Sequence, residues 1–115
     1  MQASEAMRRG IAMRPIQEVG GFYFGCDGRS SCANGAMMDG ASVGCSESGV
    51  LHKFQILKTV VICPACSGLH MSVFATINWL NDHHLWTREK IADWLEGVER
   101  ANEPVKEPEA ELVSV

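Results

Sequence analysis

Positive charge is scarce in this chain: ten Lys and Arg stand against fourteen Asp and Glu, a formal net charge of −4 at pH 7. That balance argues against a nucleic-acid scaffold, which presents a strongly basic face. Long apolar runs are missing as well. No stretch approaches the roughly 18 apolar residues of a membrane span. Met1 to Arg14 holds no uninterrupted apolar run of secretory length, so no signal peptide is expected. The glycine-rich loops are not followed by Gly-Lys-Ser or Gly-Lys-Thr, which excludes a phosphate loop. No glutamate sits at metalloprotease spacing from a histidine pair, and there is no internal repeat.

What is present points to one domain. A chain of 115 residues buries roughly two-thirds of its unfolded surface on folding, but the core supply is uneven. Most of the eleven glycines and six methionines fall in residues 1–50, while branched and aromatic side chains gather later. Such a chain benefits from a metal cross-link. Five cysteines, an odd number without an export signal, suit metal ligation and buried thiols in a reducing cytoplasm better than a disulfide framework.

Local patterns predict the elements. Ser4 can cap a helix through about Arg14, ended by Pro15. Val19 to Gly25 reads as a short aromatic strand between glycine turns. Cys32 to Ala41 predicts a helix of small residues and methionine, although Gly35 and Gly40 weigh against it. Gly44 to Gly49 reads as loop. Lys53 to Ile62 ends in a β-branched run suited to a strand that delivers Cys63. Val73, Phe74, Ile77, Leu80 and His84 keep helical spacing and predict an amphipathic helix over 71–84. Thr87 caps a second helix with Ile91, Trp94, Leu95 and Val98 on one face and Glu89 at its positive end. From Ala101 the two prolines and four glutamates against one lysine predict a flexible acidic arm, residues 101–115.

The densest chemical signal is Cys63-Pro64-Ala65-Cys66. Pro64 fixes one backbone angle and Gly68 frees another, the ingredients of a turn that points both sulfurs inward. This is half of a zinc site. Zinc takes four Cys or His donors in a tetrahedron, with thiolates from a turn and imidazoles usually from a helix. His83 and His84 follow Cys66 after 16 and 17 intervening residues. His84 lies on the stripe of Ile77 and Leu80, facing the protein body. A finger of ideal two-Cys, two-His spacing has its first histidine at position 79, which here is Trp79. His83 stands one turn later and can substitute, but adjacent ligands on a helix point about 100° apart, so joint ligation requires a distorted helix end. His70, Cys26, Cys32 and Cys45 are the alternatives for the fourth place. The opposing reading is a site that has lost its metal, two thiols under a helix with Trp79 filling the space. Where zinc binds, a closed structural site is expected, because no general base is suggested near an open position.

Other chemistries leave weaker traces. Cys26, Cys32 or Cys45 with His52 has no spacing diagnostic of cysteine catalysis, and loop or buried thiols account for them. Cys63 and Cys66 as a redox pair lack the thioredoxin-like alternation of strands and helices. Arg8, Arg9 and Arg14 gather early, but Glu5 and Glu18 dilute them, as on a solvated helix face. Residues 86–95 have the look of the opening helix of a helix-turn-helix, yet an acidic tail stands where the recognition helix should follow. Trp79, Trp86 and Trp94 predict a hydrophobic heart for the C-terminal half, with Trp86 and Trp94 as candidate protein contacts.

Cys-Pro-x-Cys followed by Leu80-Asn81-Asp82, His84, Trp86-Thr87-Arg88-Glu89 and Ile91-Ala92-Asp93-Trp94-Leu95 resembles a family of small uncharacterised proteins of bacteriophages and prophages. Ser4-Glu5-Ala6, Met13-Arg14-Pro15, Ser31-Cys32-Ala33 and Gly35-Ala36 look like its N-terminal half, so the resemblance spans most of residues 4–100. In that family a histidine commonly precedes the Leu-Asn-Asp and completes a finger-like ligand set, and Trp79 departs from this pattern. The resemblance implies a phage origin and a metal-bearing fold, with no reaction type.

The expected fold is a small α+β zinc-knuckle domain over 1–100. Residues 1–50 form an irregular glycine-rich half; in 53–100 a short strand leads into the knuckle, which clamps a helical pair. The expected function is that of a non-enzymatic phage-encoded interaction protein, with structural zinc at Cys63, Cys66, His84 and His83. It would dock on a larger protein assembly, in the host cytoplasm or in the virion, with no membrane and no small-molecule substrate. The alternative is a nucleic-acid-binding transcription regulator that uses Arg8, Arg9, Arg14 and Lys90. A thiol-dependent enzyme comes last.

Overall fold

Two helices that touch backbone to backbone organise the first half of the chain. They are α1 (Ala3–Met13) and α2 (Ala33–Ala41) in the computed structural model, which describes residues 1–103. The pair is antiparallel: Gly10 lies against Ala36, and Gly40 against Ala6. A Cβ on either glycine would fall 1.7 Å from the carbonyl oxygen it faces. The absence of a side chain is what permits this approach. The expectation of an irregular N-terminal half is therefore corrected. The glycines that weigh against a helix by propensity are the contact surface of one, and Met7, Met37 and Met38 fill the space beside it, fully buried.

Ser4 sits inside α1 rather than at its cap, and Gln2 holds the cap position without a side-chain bond. The capping group comes from the far end of the chain. Glu99, buried on α5 (Arg88–Ala101), accepts from both the backbone N–H and the hydroxyl of Ser4. A carboxylate is favoured there by the unpaired N–H groups and the positive end of the helix dipole.

Between α1 and α2 the chain makes a parallel pair of two-residue strands, β1 (Ile16–Gln17) and β2 (Ser30–Ser31). The aromatic strand expected over 19–25 does not form. Gly20 and Gly21 take φ of 100° and 92°, left-handed values that interrupt extended backbone, and Val19 and Phe22 face solvent. Only Phe24 bridges to Ser31. The loop expected over 44–49 is also corrected: Ser46 accepts from the Gly49 N–H and starts α3 (Glu47–Lys53).

The apolar run 53–62 divides in two. Gln55–Lys58 is a 3-10 turn that drives Leu57 into the core, and only β3 (Val60–Ile62) is strand. It pairs antiparallel with β4 (His70–Ser72), with Val60 opposite Ser72 and Ile62 opposite His70. The helix expected over 71–84 is shorter, α4 (Val73–Asp82), because Ser72 caps it through the Ala75 N–H. Thr87 caps α5 through the Lys90 N–H, as the sequence predicts.

The core runs through α1, α2, α4 and α5, with Ile77, Leu80, Ile91 and Leu95 fully buried. Trp79, Trp86 and Trp94 are half-buried at its rim and do not form its heart. Among the described residues, five helices and short strands make a small α+β domain. Among the described residues no helix is long and apolar enough to cross a membrane. Of the arm expected over 101–115, Ala101 belongs to α5, and everything from Pro104 lies outside the described residues.

Asn81 ties the two halves together. It is fully buried, and all four of its hydrogen-bonding positions are used. Oδ1 accepts from the Ala33 N–H at the start of α2 and from the Gln17 amide, both at 3.0 Å. Nδ2 donates to the Glu18 carbonyl and to the Asp82 carboxylate, at 2.9 and 2.7 Å. Asn81→Ala strands several of these groups without water, and urea denaturation is expected to show a loss of roughly 3 kcal/mol.

Candidate metal centre

The β3–β4 hairpin carries the cysteine turn, and the end of α4 carries the histidine. Cys63 leaves β3 with its N–H donated to the Leu69 carbonyl at 2.9 Å, and its own carbonyl accepts from the Ser67 N–H at 2.8 Å. The residue that takes the left-handed conformation is Ser67, at φ 48°, and not Gly68. The turn is therefore closed by the backbone hydrogen bond of Ser67, with Gly68 following it.

His84 reaches the turn because α4 ends early. Its N–H and that of His83 both return to the Trp79 carbonyl, the Trp86 N–H returns to the Leu80 carbonyl, and Leu85 stands at φ 55°. A left-handed residue after the last turn closes off a helix and swings the chain away from its axis. The ligand atoms of Cys63, Cys66 and His84 all lie within 4.8 Å of one another. Cys63 is fully buried, His84 half-buried and Cys66 exposed. Nε2 of His84 is buried with no hydrogen-bond partner, an arrangement that costs free energy unless a polar partner or a metal ion meets that nitrogen. Two thiols and an imidazole at this spacing form a group that can hold a metal ion.

Electrostatics favour the thiolate. The Cys66 thiol is held below its ordinary range, first by the neighbouring Cys63 thiol and then by the Gly68 N–H. The Trp79 indole acts in the same direction, although its buried N–H makes no well-formed hydrogen bond. Thiolate is the form that binds metal.

The other proposed ligands do not join this group as it stands. The His83 ring lies flat on the Trp79 indole, with centroids 3.9 Å apart and planes 14° from parallel. Its centroid is 5.3 Å from that of His84, with the two rings nearly perpendicular. His70 is exposed on β4, and Cys26 and Cys45 are exposed in loops. Cys32 is buried and caps α2, its sulfur accepting from the Gly35 N–H at 3.3 Å. Burial pushes the Cys32 thiol up, the opposite of an activated nucleophile.

The arginines are occupied. Arg8 pairs with Asp93 and Glu96 at 2.8 and 2.7 Å, Arg9 with Glu5 at 2.9 Å, and Arg14 with Asp39 at 2.6 Å. Lys90 stands over the Trp86 ring, its nitrogen 4.1 Å from the centroid. Each of these four basic groups thus has an internal partner, which lowers the free positive charge the alternative reading would offer a phosphate backbone. Trp86 and Trp94, the candidate protein contacts, sit half-buried against the core.

Sequence reasoning passed over Arg88 except as part of a motif. It is buried, and Nη1 donates to the Arg14 carbonyl at 2.8 Å and to the carbonyl and hydroxyl of Ser31 at 3.3 and 3.0 Å. Burial lowers its pKa from the ordinary arginine value. Arg88 and Asn81 hold the start of α5 and the end of α4 against β1 and β2, and so fix the direction from which His84 leaves the helix. Their signal in the sequence is position, polar residues at either end of the linker between two apolar helices.

Comparison with protein-family models, with curated proteins and with solved structures finds no match to this chain.

Proposed function

We propose that this chain is a non-enzymatic interaction protein, phage-encoded as the resemblance implies, in which a structural zinc ion joins the β3–β4 hairpin to the end of α4. The observation that carries the reading is the convergence of Cys63, Cys66 and His84, with the His84 Nε2 buried and unpartnered. Two thiolates and an imidazole are soft and borderline donors that suit zinc, whereas calcium and magnesium take oxygen.

The surroundings of the centre support a docking role. Val60 and Ile62 project from one face of β3 at 66% and 51% exposure, Leu69 is exposed beside Cys63, and Leu85, next to His84, is 67% exposed. Four large apolar side chains thus stand in water on the hairpin and helix end that carry the candidate ligands. Such an arrangement suits a contact with a larger protein assembly, in the particle or in the host cell.

Elemental analysis of freshly purified protein is expected to find one zinc per chain. For the docking surface, Val60→Asp combined with Ile62→Asp is expected to abolish co-purification with the natural assembly. Both side chains face solvent, so the melting temperature should move by less than about 4 °C, corresponding to the roughly 0.5 kcal/mol typical of surface changes. A protein that binds no metal, or a double variant that still co-purifies, removes the corresponding half of the proposal.

A further inference from the structure

Zinc in a structural site takes four donors, and Cys63, Cys66 and His84 supply three. Among the described residues, no other histidine, cysteine or carboxylate belongs to that group. Two side chains stand beside it, Trp79 and His83. The indole nitrogen of Trp79 carries a proton and has no lone pair outside its ring, so it donates and cannot ligate. His83 can.

The geometry points to a closing movement in which His83 turns off Trp79 and supplies the fourth ligand, completing a site of two cysteines and two histidines. The inference rests on the zinc reading and deepens it by naming the last donor. Two imidazoles on one tetrahedral zinc, each bound at about 2.0–2.1 Å, have ring centroids roughly 5 Å apart. The rings of His83 and His84 are already 5.3 Å apart. Their separation therefore suits a shared ion, and what His83 lacks is orientation, because its ring lies along the Trp79 face.

The objection that neighbouring residues on a helix point apart has lost its force at this place. His83 still holds helical backbone and the last regular bond to the Trp79 carbonyl. The His84 N–H, however, returns to that same carbonyl, five residues back, and Leu85 turns the chain through a left-handed conformation. The two histidines are therefore no longer set by one helical rotation. His83 is exposed, so its ring has room to swing. The contact it gives up, one stacked aromatic pair, is weak beside a zinc–nitrogen bond. Closure by His83 leaves no open coordination position, which makes the centre structural and changes the environment of the Trp79 indole whenever metal enters.

Cobalt(II) titration of the metal-free full chain reads the coordination directly. The wild type is expected to show the intense visible bands of a tetrahedral ion, unaffected by azide, and a shift in tryptophan fluorescence at the same end point. His83→Ala and His83→Phe are both expected to weaken cobalt binding at least tenfold and to give a band pattern that azide perturbs. The phenylalanine variant keeps an aromatic ring to lie on Trp79, so loss in both variants assigns the effect to the missing nitrogen. Unchanged affinity and spectrum in the two variants, or azide sensitivity in the wild type, overturns the assignment of His83 while leaving the metal site intact. A wild type that binds neither cobalt nor zinc overturns the zinc reading and this inference together.

Discussion

Gly10→Ala and Gly40→Ala are each expected to destabilise the protein by at least about 3 kcal/mol, although alanine is the better helix former by roughly 0.8–1.0 kcal/mol. The reason is distance. The added methyl carbon meets the carbonyl oxygen of Ala36 or Ala6 at 1.7 Å and the Cα of the same residue at 2.6 or 2.8 Å. The obstructing atoms are backbone, so no side-chain rotation relieves the clash. α1 and α2 must move apart, and the buried contacts of Ala6, Met7, Ala36 and Met37 open with them. Overpacking costs roughly 1–3 kcal/mol where side chains can adjust and more where they cannot. Thermal denaturation is expected to show a midpoint lowered by about 12 °C or more, at about 4–8 °C per kcal/mol. Gly97 is the internal control. It lies within α5 with nothing inside 4 Å of a built Cβ. Gly97→Ala should therefore raise stability by roughly 0.8–1.0 kcal/mol. Opposite signs from the same substitution at two helical glycines isolate the contact between α1 and α2; equal signs would falsify that account of their packing.

Removal of the proposed zinc ion is expected to be comparably severe. The ligands link a hairpin of two three-residue strands to the end of α4. A two-stranded hairpin is marginal by itself, and Val60, Ile62, Leu69 and His70 contribute little to the core because they face water. An ion that binds only the folded state adds about 4 kcal/mol of stability at a thousandfold excess over its dissociation constant. Treatment with chelator should then lower the midpoint by roughly 15–30 °C. Cys63→Ser should do the same and lose the response to added zinc. The fall should be reversed by zinc in the wild type and should shrink as pH drops, because thiolate and neutral imidazole are the binding forms and proton competition for both weakens the metal's hold. Melting behaviour that ignores both chelator and zinc would instead favour two thiols packed under a helix with Trp79 filling the space.

Much of the second half of the chain was legible in advance. Thr87 accepts from the N–H three residues on, as expected, because a helix start of this kind is encoded within four residues; Ser72 starts α4 in the same way, although the helix was expected from 71. The spacing of Ile91, Leu95 and Val98 was enough to locate α5. The turn at Cys63 was equally local, although its left-handed residue proved to be Ser67. The first half was misread chiefly in what its glycines do. Propensity prices a glycine by the freedom it loses, and it cannot register what stands opposite. At Gly20 and Gly21 the backbone uses that freedom and the expected strand fails. At Gly10 and Gly40 the missing side chain is used instead, and the two expected helices touch backbone to backbone in a half that was expected to be irregular.

The candidate site divides in the same way. Its cysteines announce themselves by spacing, and its histidine does not, since two stand side by side. Only the early end of α4, held by Asn81 and Arg88 against β1 and β2, decides that His84 meets the sulfurs while His83 lies on Trp79. From the sequence alone came the Thr87 cap, the apolar stripes and the paired thiols, because each depends on residues a few positions apart. The tertiary structure alone settled the glycine contact between α1 and α2, the capping of α1 by Glu99 and the choice of histidine. These depend on segments up to 95 positions apart, and no local preference carries that information.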